Sequence, residues 1–344
     1  MIQRGAVLLG GVLLTSVLAL GAARAQGVAG GGVRAPPKTG DAADWPPPAP
    51  KYRLLATNIF GGSLNSDGVE EQLRFGAQIR LYESKNPAFR DNFVFLGINP
   101  RVNPAGTRFG PSFEIQPLSV FNLKVNIELL DYFGTFGHIQ SFPSALGDFS
   151  RSALDRNKEA GRGYSKAGAR FSITPFFQVK VGPIALRERF TFEYFAVDLR
   201  AGDTAFYEPA YDTMVAGHGK MLSNDLDLFH ITDLPAGGFF SHGRVAAGVR
   251  YTVFKPLFDS DDFMPGEDAT KERNEMQRIG PLVAFSLFDD GYSKFHEPAF
   301  VLMAQWYLAH RYRTGHDIPQ GVPYVALAFL FQSDLWTSAD SLPR

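Results

Sequence analysis

The 344-residue chain contains no cysteine, which excludes structural disulfides and the cysteine to which a lipoprotein attaches its lipid. Its formal net charge is −1, and no basic run occurs, so the sequence offers no concentrated phosphate-binding surface and no nucleic-acid partner is predicted. A glycine-rich phosphate loop and metal-ligand spacings are also absent, so no cofactor and no metal site are predicted.

A long apolar run is absent after the first 25 residues. Those residues combine a basic Arg4, an apolar stretch over 6–20 and a small-x-small site ending at Ala25, which predicts a secretory signal peptide over 1–25. An uncleaved membrane anchor fits less well because the apolar stretch is short and rich in glycine. An exported chain of this size without disulfides needs another source of stability, such as a closed hydrogen-bond ladder.

Residues 26–51 are rich in glycine and proline and predict a flexible lead-in, a tether rather than a proline-rich docking site. Residues 52–344 are interpreted as one domain. Its 31 Phe and 12 Tyr favour strands over helices.

Side chains alternate with period two along most of this domain. The stretch "KAGARFSITPFFQVKVGPIALRERFTFEYFAVDL", residues 166–199, alternates apolar with polar residues on both sides of a turn at Gly182-Pro183. Each half exceeds the roughly 9 to 11 residues that a tilted strand needs to cross a bilayer. The pattern therefore predicts two long paired strands.

The same pattern predicts an all-β fold, an antiparallel transmembrane β-barrel of about twelve strands, within a range of about ten to fourteen. Besides the two strands of 166–199, the candidates are 72–84, 93–103, 107–118, 121–136, 205–215, 220–232, 243–257, 276–289, 296–311 and 321–335. A further strand at 52–60 stays open, because it would bring most long connections to one end but make the count odd. Several of the prolines inside these candidates indicate bulges, strand ends or misplaced boundaries, namely Pro100, Pro117, Pro175, Pro281 and Pro323.

Export, strand length and charges in the middle of strands favour a barrel in lipid over the alternative, a soluble periplasmic β-sandwich that binds a ligand. Aromatic residues near strand ends would suit interfacial girdles, with core filling as the alternative: Tyr82, Tyr132, Phe133, Tyr194, Phe195, Trp306, Tyr307 and Trp336.

The segment "GPLVAFSLFDDG" followed by "AQWYLAHRYRTG" resembles a recurring ending of uncharacterised outer-membrane β-barrel proteins of Gram-negative bacteria. The resemblance covers the pattern of about residues 70 to 335 and implies a fold and the outer membrane as location. The chain continues past its last strand with "WTSADSLPR", which departs from the common barrel ending at a terminal aromatic residue.

The predicted function is that of a pore or of a structural or assembly component, with outer-membrane lipid and other envelope proteins as candidate partners. The polar strand faces carry more basic than acidic residues, which predicts a mildly anion-favouring lumen. The residues predicted to line this lumen are Arg74, Arg80, Lys124, Glu128, Arg170, Lys180, Arg187, Arg189, Glu193 and Arg250.

An enzyme is the competing hypothesis, namely a membrane-embedded hydrolase that modifies lipids at a site around His230 or His242. The phospholipase A type of outer-membrane barrel carries a histidine and a serine two residues apart on one strand, because both must project from the same face for the histidine to deprotonate the nucleophile. His230-Ile231-Thr232 comes nearest to this spacing, whereas Ser241 and His242 are adjacent and would point to opposite faces. The sequence therefore predicts no catalytic residues.

Overall fold

The computed structural model describes residues 49–84, 86–234, 243–288 and 295–338, most of which lie in strands. Two helices, α1 at Pro87–Arg90 and α2 at Arg151–Glu159, lie in connections; neither is long and apolar enough to cross a membrane. The strands are β1 Tyr52–Leu64, β2 Gly68–Ile79, β3 Phe93–Ile98, β4 Arg101–Asn103, β5 Gly106–Phe109, β6 Pro111–Leu118, β7 Phe121–Tyr132, β8 Gln140–Phe142, β9 Lys166–Val181, β10 Ile184–Ala196, β11 Ala205–Glu208, β12 Thr213–Ala216, β13 Lys220–Asp233, β14 Arg244–Leu257, β15 Met276–Ser286, β16 His296–Ala309 and β17 Tyr324–Thr337.

Within the described residues, fourteen of these segments form one antiparallel sheet that closes on itself. Closure comes from β1, which pairs with β2 on one side and along its length with β17 on the other. β3 and β4 are two parts of one interrupted strand, and so are β5 and β6, which leaves a barrel of twelve strands. The predicted fold and the predicted strand number are therefore confirmed.

The set of barrel strands nevertheless differs from the predicted set at two segments. The segment 205–215 is not a barrel strand, because β11 and β12 pair with each other and with β8 in a separate three-stranded sheet. The twelfth barrel strand is instead β1, the strand that the sequence left open at 52–60. The count was right because the strand that was left open at 52–60 replaces the one that was wrongly assigned at 205–215.

The inclusion of β1 also brings the longest connections to one end of the barrel. With β1 included, the four longest connections all leave the same end of the barrel, here called the loop end: 133–165, 197–219, 258–275 and 310–323. Both ends of the described barrel chain lie at the opposite end, here called the turn end. Long loops on one side and shorter turns on the other are typical of bacterial transmembrane barrels.

The outer face of the barrel is apolar and exposed. Leu129 on β7 is 67% exposed and Leu302 on β16 is 52% exposed, although both lie within long strands. The inward residues beside them are buried, and many of them are polar or charged. This is the inside-out pattern of a barrel surrounded by lipid rather than of a soluble sandwich.

The aromatic residues near strand ends divide between the two faces. Those exposed on the outside, as a girdle requires, are Tyr82, Phe133, Tyr194, Trp306 and Trp336. Tyr132, Phe195 and Tyr307 are buried inside instead, so the girdle interpretation is wrong for these three.

The five prolines named above coincide with interruptions of the ladder. Pro100 lies in the break between β3 and β4, Pro117 lies in a register irregularity of β6, and Pro323 immediately precedes β17. Pro175 and Pro281 each lie opposite a gap in the pairing with one neighbouring strand. Since proline donates no hydrogen bond, it is tolerated where the ladder is already irregular.

A charge on the outer face should destabilise the barrel. Leu302→Arg places a guanidinium in the middle of β16 and is expected to lower the free energy of unfolding in phospholipid vesicles by about 2–4 kcal/mol. The control Val322→Arg, at an exposed site in the 310–323 connection, should change it by less than about 0.5 kcal/mol. Denaturant unfolding followed by tryptophan fluorescence measures both, and equal effects would contradict the orientation of the barrel wall.

Candidate functional site

The residues predicted to line the lumen fall into two groups. Eight lie on the inward faces of barrel strands: Arg74, Lys124, Glu128, Arg170, Arg187, Arg189, Glu193 and Arg250. Lys180 is half-buried near the turn end of β9. Arg80 lies just past β2, where its guanidinium donates to the Ala49 carbonyl at 2.6 Å and pairs with the exposed Glu83.

The first inward cluster joins β2, β6 and β7. The Arg74 guanidinium donates two hydrogen bonds to the Glu114 carboxylate, at 3.0 and 3.1 Å. Lys124 Nζ lies 3.4 Å from the same carboxylate, and the Phe95 ring of β3 lies 3.6 Å beneath the guanidinium carbon. The sequence predicted these cations, but only the barrel brings them to one acid.

The second cluster crosses β7, β9 and β10. Arg170 donates to Glu128 at 2.9 Å and also to Glu193, so that one guanidinium lies between two carboxylates. The neighbouring strands pair Arg170 directly with Glu128, which explains how one inward row holds three charged residues.

The third cluster contains acids that the sequence reasoning missed. Asp227 accepts hydrogen bonds from Arg187 at 2.8 Å and from Arg250 at 2.6 and 2.8 Å, and Asp225 accepts one from Thr252 at 2.7 Å. Both aspartates alternate with outward leucines along β13, so the period-two pattern of "NDLDL" could have identified them. Much of the predicted positive charge is therefore neutralised.

The remaining wall of the lumen is largely apolar, although Arg53, Arg278 and Asp334 also lie on its inner face. On β15, β16, β17 and β1 the inward residues are mostly small or aliphatic, which contradicts a polar interior on every strand. They include Leu282, Ala284, Ala299, Val301, Met303, Ala326, Ala328, Leu330 and Ile59. These strands carry apolar residues on both faces, so alternation could not show which face is inside.

A hairpin from the 197–219 connection folds into the loop end of the barrel. This mouth hairpin consists of β11, β12 and the turn between them, residues 205–216, and every residue of its two strands is buried. Its partner β8 comes from the 133–165 connection. Two long connections thus fold inward together.

The turn of the mouth hairpin is bound to the barrel wall by its polar side chains. Glu208 accepts a hydrogen bond from Arg108 of β5 at 2.9 Å and another from Tyr132 of β7. The Tyr211 hydroxyl lies 2.7 Å from a Glu193 oxygen of β10. These contacts bind the hairpin to three strands, β5, β7 and β10, on one side of the barrel.

Asp212, in the same turn, is bound by the 310–323 connection. It accepts hydrogen bonds from Arg313, at 3.0 Å to one oxygen, and from Tyr207 at 2.8 Å. Burial alone would raise the pKa of Asp212, but Arg313 and His310 outweigh burial and hold it well below its usual range. Asp212 therefore stays charged as the pH falls.

His310 is held on both sides of its ring. Its Nδ1 accepts hydrogen bonds from the backbone N–H groups of Tyr312 and Arg313, at 3.0 and 3.1 Å, so the proton lies on Nε2. Nε2 donates to the Asp212 carbonyl at 2.8 Å. With both nitrogens occupied, His310 positions the hairpin and has no lone pair available to act as a base.

The histidines of the hydrolase hypothesis lie elsewhere. His230 is exposed on the outer face of β13, where its Nδ1 lies 3.3 Å from the Thr232 hydroxyl. His242 lies outside the described residues. Within the described part of the chain, no group of three or more His, Asp or Glu residues could hold a metal ion.

Several solved bacterial structures are similar to this chain at low identity. The β-domain of the Bordetella autotransporter BrkA is 11% identical, with a TM-score of 0.42 over 83% of this chain and 100% of that one. An outer membrane channel from Pseudomonas putida F1 is 8% identical, with a TM-score of 0.34 over 86% and 99%. The outer membrane protein OprD from Pseudomonas aeruginosa is 8% identical, with a TM-score of 0.25 over 85% and 95%.

These TM-scores are below 0.5 and support no functional assignment. No protein-family model matches the chain, and no curated protein matches it. The chain's own strand pairing and inward charges define its class, an antiparallel β-barrel of the transmembrane type with a charged lumen and a hairpin folded into one mouth.

Loss of Glu208 should release the mouth hairpin. Glu208→Ala leaves Arg108 buried without its carboxylate, which is expected to lower the free energy of opening the hairpin by about 3–5 kcal/mol. Hydrogen exchange of residues 205–216 measures this opening. The control Glu83→Ala removes an 80% exposed partner of Arg80 and should cost less than about 1 kcal/mol. Unchanged protection in Glu208→Ala would contradict the anchoring role.

Acid should loosen the connection that carries β8. Burial, with a smaller contribution from Lys158, lowers the pKa of His138 from 6.5 to about 4. The contribution of His138 to the folding stability of this connection is therefore fully present above pH 6.5. It decreases by about 2 kcal/mol at pH 5, because there the unfolded segment binds a proton that the folded segment does not. Hydrogen exchange of residues 133–165, corrected for intrinsic rates, should show this loss between pH 7 and 5.

His138→Phe should abolish that pH dependence, whereas His218→Phe, at an exposed site of the 197–219 connection, should retain it. Equal pH dependence in the wild type and His138→Phe would contradict the assignment to His138.

Proposed function

We propose that the protein is an outer-membrane channel for small polar solutes, narrowed at its loop end by the mouth hairpin. The observation that carries this proposal is a row of inward polar atoms without a protein partner on the charged wall: Gln78 Oε1, Ser112 Oγ, Asn122 Nδ2 and Asn126 Oδ1. Buried polar atoms nearly always have a hydrogen-bond partner, and these four are out of reach of water in the described state, so we infer that they gain water as their partner when the lumen opens. A hydrated path along β2, β6 and β7 is what a polar solute needs.

The mouth hairpin acts as the constriction. Its anchors are ion pairs and hydroxyl contacts to β5, β10 and the 310–323 connection rather than covalent links, so its displacement requires only that these contacts exchange for water. The described state corresponds to a closed or narrow mouth. A structural barrel that never opens is the alternative.

A mild preference for anions remains part of the proposal. Among the described barrel strands, nine buried basic side chains compare with seven buried carboxylates. The basic residues are Arg53, Arg74, Arg108, Lys124, Arg170, Arg187, Arg244, Arg250 and Arg278, and the acidic ones are Glu70, Glu114, Glu128, Glu193, Asp225, Asp227 and Asp334. Because the difference is small and most pairs are in contact, selectivity should be weak.

Location and lipid contact follow from the outer face. Its apolar band supports insertion in the outer membrane, with lipid as the surrounding partner, and other envelope proteins remain candidates for the loops and turns. Heat-modifiable gel migration in the outer-membrane fraction would support this location. Recovery in the soluble periplasm would contradict it.

Planar-bilayer recording tests the channel. The wild type is expected to show small steps, and Glu208→Ala should show larger or more frequent ones because its mouth hairpin is released, while Glu83→Ala behaves as the wild type. Under a KCl gradient the reversal potential should show a modest chloride preference. A potassium preference would overturn the selectivity, and silence of both the wild type and Glu208→Ala would overturn the channel in favour of a structural role.

A further inference from the structure

A carboxylate lies on the outer face of the barrel wall, among residues that otherwise suit lipid. Glu188 is the fifth residue of β10, and its side chain is exposed on the outside. Leu186 and Phe190 precede and follow it on the same face, and both are exposed apolar residues. A charged group at such a position costs free energy in a bilayer, so Glu188 requires a polar partner.

The adjacent strand supplies one hydrogen bond to this carboxylate. Asn224 of β13 lies opposite Phe190, and its Nδ2 donates to Glu188 Oε1 at 3.1 Å. Among the described residues, Asn224 is the hydrogen-bond partner of Glu188 on this face. We call these two residues the outer polar pair. Its amide has a second N–H group and its carboxylate a second oxygen, so the pair can bond to another molecule.

A pair of the same chemistry lies on the opposite side of the barrel. Asn58 of β1 donates to Glu71 of β2 at 2.8 Å, again on the outer face. Val69 is the one outward residue between Glu71 and the loop end of β2, which places this carboxylate near the polar headgroups. Glu188 has outward apolar residues on both sides along β10 and no comparable access to the membrane surface.

The outer polar pair is complementary to itself. Copies of the chain in one membrane share one orientation, so groups that meet lie at the same depth. The bonded atoms of Glu188 and Asn224 are 3.1 Å apart and therefore lie at nearly one depth. A twofold axis along the membrane normal brings the carboxylate of one copy to the amide of the other. Each carboxylate then accepts from two amides, which offsets the repulsion between the two charges.

We propose that this face is a dimer interface, at which a second copy of the chain docks through β10 and β13. The two outer polar pairs exchange amide-to-carboxylate hydrogen bonds across the twofold axis. Phe190 and Leu226, which flank the pair on the two strands, pack against their counterparts. Hydrogen bonds and close packing are the interactions that drive association in a bilayer. Docking thereby withdraws Glu188 from lipid, and the chain itself supplies the donor at the required depth.

Thiol crosslinking in phospholipid vesicles tests the position of the contact. Because the chain contains no cysteine, each variant carries a single thiol. Leu226→Cys, beside the outer polar pair, is expected to give a dimer with a short bismaleimide. The controls Phe60→Cys, opposite Glu71, and Leu302→Cys on β16 should remain monomeric, although both sites are exposed. No dimer from Leu226→Cys, or equal crosslinking of all three variants, would overturn the proposal.

Sedimentation of the full-length chain in detergent tests the hydrogen bonds. The wild type is expected at the mass of two chains. Glu188→Leu and Asn224→Leu should each raise the dimer dissociation constant at least about tenfold, because leucine suits lipid but bonds to no partner. The matched control Glu71→Leu should leave the constant unchanged. Glu188→Gln keeps an acceptor oxygen without the charge and should retain the dimer.

Heat-modifiable gel migration checks that every variant is a folded barrel. A monomeric wild type, or an unchanged dissociation constant in both folded leucine variants of the outer polar pair, would overturn the interface. Loss of the dimer in Glu188→Gln would contradict the exchange of hydrogen bonds. Neither measurement involves conductance, so the dimer and the channel can fail separately.

Discussion

The closed backbone ladder is the constraint on which the rest of this structure depends. Lipid offers no hydrogen-bond partner to a peptide group, so a spanning sheet must pair both of its edges. Here the pairing of β1 with β17, from Leu64 opposite Val325 to Arg53 opposite Thr337, removes the last edges. The same pairing stabilises a chain without cysteine, and it confines proline to places where the ladder is already interrupted.

Closure also brings together charges that are far apart in the chain. Arg108 and Glu208 are 100 residues apart, and Asp212 and Arg313 are 101 residues apart, yet each pair is in contact. Buried charges require partners, because taking them out of water is costly. Inward arginines therefore pair with carboxylates from neighbouring strands or from the mouth hairpin. The constriction of the mouth and the weakness of the lumen charge both result from this pairing.

Particular elements show how far alternation predicts the fold. It identified β9 and β10 with their turn, because a strand between lipid and a polar lumen must alternate. It misplaced 205–215, because the mouth hairpin is surrounded by protein on both faces and so carries apolar residues on both. Alternation also did not predict the apolar wall at β15 to β17. There the inward Ala328 and the outward Leu327 are both apolar, so the pattern does not distinguish the two faces.

The sequence by itself determined the class of fold, the approximate strand number and the inward position of most of the predicted charged residues, because these depend only on which side of a strand a residue occupies. The tertiary structure alone decided which carboxylate each arginine meets, which long connection enters the lumen, and how the ring of His138 comes to lie beside that of Tyr207. These are contacts between segments distant in the chain, and a period-two pattern holds no information about which distant segments become neighbours.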